Sequence, residues 1–145
     1  LNVVEIRAIK VKAPQPLEEI EAFCLKVLNE IGKENWNVSV LFCDDAFIQN
    51  LNGNYRGLFK PTDVLSFSQD SDTEAGGFHF AGDIVVSIET MKNNAAMQKT
   101  TEKCEMKRLL THGLLHLAGM DHEEDAVEGE MLDLQERILR KYSGE

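Results

Sequence analysis

Residues 111–122 read THGLLHLAGMDH. The chain holds 4 histidines, and His112, His116 and His122 all fall inside this segment. A helix leading into it is predicted over 101–117, with Thr101 as N-cap and Cys104, Leu109 and Leu110 among its apolar positions. On that helix His112 and His116 differ by about 40° around the axis and about 6 Å along it. Both imidazoles then lean toward one point, as two ligands of a single ion must. His122 would face nearly the opposite way, and lie about 9 Å further on, if the helix continued. Gly119 is placed to stop it, as a residue able to take positive φ, and the chain can then fold back to offer His122 as a third ligand.

Three nitrogens and one open position describe a catalytic metal site better than a structural one, which usually has four protein ligands. Zinc is the default for three imidazoles, with nickel or another transition metal such as copper as competitors. Three unrelated histidines, two on a helix and one capping, form the plainer alternative, and the spacing argues against it. H-x-x-x-H-x-x-G-x-x-H is also the metal frame of metzincin proteases. Those enzymes carry a glutamate beside the first histidine as general base, whereas this chain has Gly113. Glycine inside a helix costs about 1 kcal/mol relative to alanine. Close approach of substrate or of another backbone near the metal would account for it.

Outward from this segment the chain reads as one α+β domain, with a small mixed sheet of about four strands, about five helices and the metal site at the end of a central helix. Its 145 residues suit one domain, and 43% hydrophobic content is enough for a core. Strands are expected at 2–11, 37–43, 64–67 and 83–87. Helices are expected at 17–31, from the Asp44 cap to Tyr55, at 88–98 and at 123–142, the last with Met131, Leu134, Ile138 and Leu139 as its apolar stripe. The acidic stretch QDSDTEAGG, 69–77, reads as a mobile loop. No apolar run approaches the roughly 20 residues that cross a bilayer, and the N-terminus interleaves apolar and charged residues, unlike a secretory signal. Cys24, Cys43 and Cys104 form no C-x-x-C pair and read as buried thiols in a reducing, cytoplasmic setting.

Three stretches carry a family resemblance. HGLLHLAGMDH, 112–122, is similar to the H-G-x-L-H-L-x-G-y-D-H signature of the YbeY family of metal-dependent endoribonucleases. LNGNYRGLFKPTDVLSFS, 51–68, resembles that family's L-N-x-x-Y-R…P-T-D-V-L-S-F-P segment, with Ser68 where the family usually has proline. AGDIVVS, 81–87, resembles its G-D-I-x-I-S strand. The resemblance spans about 51–139. It implies a zinc-dependent RNase that prefers single strands and acts in ribosomal RNA maturation, including the 3′ end of small-subunit RNA, and in ribosome quality control. It implies His112, His116 and His122 as ligands and Arg56 as a functional residue near the metal. The implied partners are single-stranded and ribosomal RNA and the small ribosomal subunit or its associated proteins, with no membrane and no DNA.

The remaining residues are weighed on their chemistry. A guanidinium at Arg56 can grip a phosphate with two hydrogen bonds and offset charge building on phosphorus. A surface arginine is the bland alternative, and the family segment favours function. Asp63 suits a turn first, then an anchor for Arg56 or for a histidine. Asp83 reads as structural, and Asp121 as turn former, anchor or proton acceptor. Ser66 is expected to pack in the sheet, His79 not to ligate, and Tyr55 to be half-buried, though it could stack a base. A net charge of −10 argues against a broad RNA-binding face. Lys99, Lys103 and Lys107, spaced four apart, would form one helical stripe. Such a stripe is usually solvated surface. Lining the cleft with Arg56 and Lys60, it would give local grip and modest RNA affinity, a partner supplying the rest.

A bound zinc would bring water's pKa toward about 7. With no base at Gly113, water or an RNA 2′-OH remains open as the nucleophile. The rival readings are a metalloprotease-like hydrolase and a non-catalytic ribosome-assembly module with a structural metal.

Overall fold

The structure, a computed structural model, describes residues 1–69, 79–120 and 125–144. In chain order these form β1 (Val3–Ala8), α1 (Leu17–Glu30), β2 (Trp36–Cys43), α2 (Asp45–Arg56), β3 (Val64–Ser68), β4 (His79–Ser87), α3 (Ile88–Met97), α4 (Glu102–Leu117) and α5 (Asp125–Lys141). The sheet order is β1-β2-β4-β3. β1 and β2 run parallel, as do β2 and β4, while β3 pairs antiparallel with β4 at the edge. Parallel neighbours need a long crossover, and α1 supplies it between β1 and β2.

Alternation along the strands decides which face carries the helices. Val38, Val40 and Phe42 of β2 point one way with Ile84 and Val86 of β4, and all five are fully buried. They share one core with Phe23, Val27 and Leu28 of α1, with Met106, Leu110 and Leu114 of α4 and with Ile138 of α5. On the opposite face a smaller cluster of Cys43, Ile48, Leu65 and Val85 lies under α2. The central helix α4 is buried around most of its circumference between Glu105 and Leu117, with Arg108, His112 and His116 only half-buried. Each fully buried leucine of α4 removed to alanine costs about 2–5 kcal/mol.

Caps set the helix starts. Asp44 accepts from the Phe47 amide at 2.9 Å and Thr101 from the Cys104 amide at 3.0 Å. Two strand lengths differ from the sequence pattern. β1 ends at Ala8 because the chain turns at Lys10, whose φ is +61°. β4 begins at His79 rather than Asp83 because β2 runs beside it along its whole length. The 83–87 pattern caught only its buried end. The stretch 69–77 lies outside the described residues except for Gln69.

Two further expectations are corrected. Cys24 and Cys43 are buried, and burial pushes each thiol up to about 12, but Cys104 is exposed, on the first turn of α4 beside the cap. The lysine stripe does not form. Lys99 sits in the turn between α3 and α4, with φ +55°. Lys107 is buried, its ammonium donating to the Tyr142 carbonyl at 3.1 Å and lying 5.4 Å from the Phe23 ring centroid. Among the described residues no helix is long and apolar enough to cross a membrane.

Candidate metal centre

Three elements wall a cleft of about 600 Å³: the end of α2 with Tyr55 and Arg56, the 62–67 segment leading into and along β3, and α4 with Arg108, His112 and His116. The helical spacing does what geometry requires. His112 and His116 turn their Nε2 atoms toward each other at 3.0 Å, with ring planes 73° apart. A tetrahedral zinc with bonds of about 2.0–2.1 Å holds two nitrogen ligands about 3.3 Å apart. The pair therefore has nearly the separation such an ion imposes, and the residues fit the group.

A third residue locks this arrangement, and sequence reasoning passed over it. Gln135 of α5 is 2% exposed, and its Oε1 lies 3.0 Å from His112 Nδ1. With that oxygen accepting, Nδ1 carries the proton and Nε2 keeps the lone pair that a metal needs. The available signal was a polar residue within the apolar stripe of α5, four positions after Met131 and three before Ile138. Gln135→Leu is expected to weaken zinc binding by roughly 10–100-fold while the fold is kept. Competition against a chromophoric chelator measures it, and an unchanged affinity would remove Gln135 from the centre.

The helix ends at the glycine that the sequence marks as its stop. Gly119 takes φ +90°, its amide bonds the His116 carbonyl at 3.0 Å and the Met120 amide bonds the Leu115 carbonyl at 3.1 Å. This left-handed cap stops α4 just past His116. His122 and Asp121 lie outside the described residues. Among the described residues no third His, Cys, Asp or Glu completes a set of three.

Gly113 has a different cause from the one expected. A Cβ there would stand 3.0–3.2 Å from three side-chain atoms of Ile84, which is fully buried in β4. The glycine lets α4 press onto the sheet. Gly113→Glu is expected to destabilise the fold by at least about 3 kcal/mol, through overpacking and a buried, unpaired carboxylate. A denaturant titration reads this, and a stable variant with protease activity would contradict it.

The other cleft residues sort by their partners. Arg108 grips the buried Glu105 carboxylate twice, Nε–Oε1 at 2.9 Å and Nη2–Oε2 at 2.5 Å. That hydrogen bonding raises its pKa first of all, with Asp63 and Glu136 adding to it, so its charge is already answered. Arg56 is exposed, lines the cleft, and among the described residues has no ion-pair partner. Lys60 is not in the lining. Asp63 holds the turn: it accepts from the Val64 amide at 2.7 Å and from Asn94 Nδ2 at 3.1 Å. Ser66, expected to pack in the sheet, lines the cleft because β3 is the edge strand beside α4. Asp83 lies away from the cleft and accepts from Gln69 at 3.4 Å. His79 starts β4, its ring 5.3 Å from that of Trp36, and is not a cleft residue.

Comparison with known proteins gives the family. The sequence profile of the family described as Endoribonuclease YbeY matches residues 4–143. The chain belongs to the endoribonuclease YbeY family. Endoribonuclease YbeY of Treponema denticola is 49% identical over 126 residues, covering 85% of this chain and 81% of the relative. Its namesake in Treponema pallidum strain Nichols is 40% identical over 145 residues, covering 98% and 91%. The solution structure of TM1509 from Thermotoga maritima superposes with a TM-score of 0.67 at 29% identity, covering 98% of this chain and 93% of that one. YbeY membership thus extends over the N-terminal third, where the sequence motifs were weakest.

Proposed function

We propose that this YbeY family chain is a zinc-dependent endoribonuclease that cuts single-stranded RNA during ribosomal RNA maturation, in the cytoplasm and at or near the small ribosomal subunit. The observation that carries the reading is the converging Nε2 pair of His112 and His116, locked by Gln135 and opening onto a cleft that also holds Arg56.

His112, His116 and His122 would hold the ion. When bound, zinc supplies Lewis acidity that makes water a competent nucleophile at neutral pH. Arg56 binds the scissile phosphate and offsets the charge that grows on its oxygens. Gly113 contributes no base, so no side chain at that position takes the proton. Water adds to phosphorus, the bond to the ribose 3′-oxygen breaks, and that oxygen leaves with a proton. The products then carry a 5′-phosphate and a 3′-hydroxyl, whereas attack by the 2′-OH would leave a cyclic phosphate.

A protease reading lacks its general base, and Ile84 fills the space a glutamate at 113 would need. Cleavage of a defined unstructured RNA is expected to stop with chelator and return with zinc. Undiminished cleavage after complete metal removal would overturn the proposal.

A further inference from the structure

The segment Tyr55–Lys60, YRGLFK, has two cations and no carboxylate, in a protein whose net charge is −10. Its apolar side chains are exposed: Tyr55 70%, Leu58 44% and Phe59 66%. A tyrosine on an amphipathic helix is usually half-buried, so this exposure calls for a cause. Tyr55 stands on the last turn of α2, beside Arg56, with its ring edge-on to Phe67 at 5.1 Å and 60°. It lines the metal cleft and also a second cavity of about 690 Å³ on the far face of the sheet, sharing both with Ser66 and Phe67.

The segment is also held firmly. Gly57, at φ +72°, reverses the chain, and the Leu58 amide bonds back to the Asn52 carbonyl at 3.3 Å. Buried Asn52 donates from Nδ2 to the Lys60 carbonyl at 3.0 Å. The Phe59 ring lies so close over Gly53 that a Cβ there would come within 2.1 Å of it. Exposed rings on a pinned turn lose little freedom on binding, which is the condition for a preorganised contact surface.

We propose that Tyr55 is a stacking platform for an unpaired RNA base adjoining the phosphate held by Arg56, at the junction where the strand passes from the metal cleft onto the far face of the sheet. The inference rests on the RNA-cleaving reading above and adds the residue that makes that reading selective. A single strand alternates base and phosphate, and Tyr55 with Arg56 alternates ring and cation to match it. Only an unpaired base offers its face to such a ring, so a duplex is refused at this step.

The test is a cycle between protein and RNA, on the full chain. The probes are a short unstructured oligoribonucleotide and a set in which each base in turn is removed. Binding is read by fluorescence anisotropy with chelator present so that no cutting intervenes, and kcat and KM are read separately on the zinc-loaded protein. Tyr55→Ala is expected to weaken binding about 5- to 100-fold and to raise KM more than it lowers kcat. Tyr55→Phe keeps the ring and is expected to stay within about twofold. One abasic position should cost the native protein that same factor and cost Tyr55→Ala nothing. Equal abasic penalties in both proteins, with RNA cleavage intact, would overturn the stacking role alone. A native protein that neither binds nor cuts the RNA would overturn the underlying function and this role with it.

Discussion

His116→Ala protein is expected to bind no zinc at micromolar concentration and to cut no RNA. The substitution removes one of the two nitrogens that meet at 3.0 Å and leaves the core side of α4 untouched, since Leu110 and Leu114 remain packed. Alanine is the strongest helix former, so α4 itself should survive. Loss of a ligand must exceed the roughly 10–100-fold that loss of a supporting hydrogen bond costs. Metal analysis after gel filtration, beside a thermal melt to show that the fold persists, reads both halves. A folded His116→Ala protein that retained one equivalent of zinc would place the ion elsewhere.

The second large effect is expected at Arg56. Arg56→Glu should leave zinc bound and lower kcat/KM for RNA by at least about 100-fold, the scale on which loss of one group stabilising transition-state charge is felt. Reversing the charge also repels the phosphate, so KM should rise along with the fall in kcat. Structure gives no reason for collapse, because Arg56 is exposed at the end of α2 and has no ion-pair partner among the described residues. The contrast with Arg108 is instructive. That guanidinium is committed to Glu105, and its removal would orphan a buried carboxylate, a stability effect before any catalytic one. Full cleavage by Arg56→Glu would take Arg56 out of the mechanism.

Much of this was readable from local pattern. The period of α1 and α4, the Asp44 and Thr101 caps and the stop at Gly119 are short-range chemistry, decided within a few residues of the chain. The i, i+4 convergence of His112 and His116 is likewise local, because helix geometry alone fixes it. What escaped was tertiary. In sequence Gly113 reads as room for a substrate or another backbone, and only the packing of β4 brings the Ile84 side chain against it. Lys107 reads in sequence as a surface cation, and only the packing of α5 brings the Tyr142 carbonyl, just past its end, to accept from it. Gln135 is 23 residues from His112 in sequence, and only the packing of α5 on α4 joins them. Tyr55 is exposed because the chain reverses at Gly57 and leaves its ring on the lip of the cleft, a placement periodicity does not report.

The central claim is that three imidazoles surround one cation and leave a position open. X-ray absorption at the zinc edge of the loaded protein tests it most directly. The account predicts one zinc per chain with three imidazole nitrogens and one oxygen from solvent, all at about 2.0–2.1 Å. A sulfur neighbour, or a fourth protein side chain in place of the solvent oxygen, would contradict it.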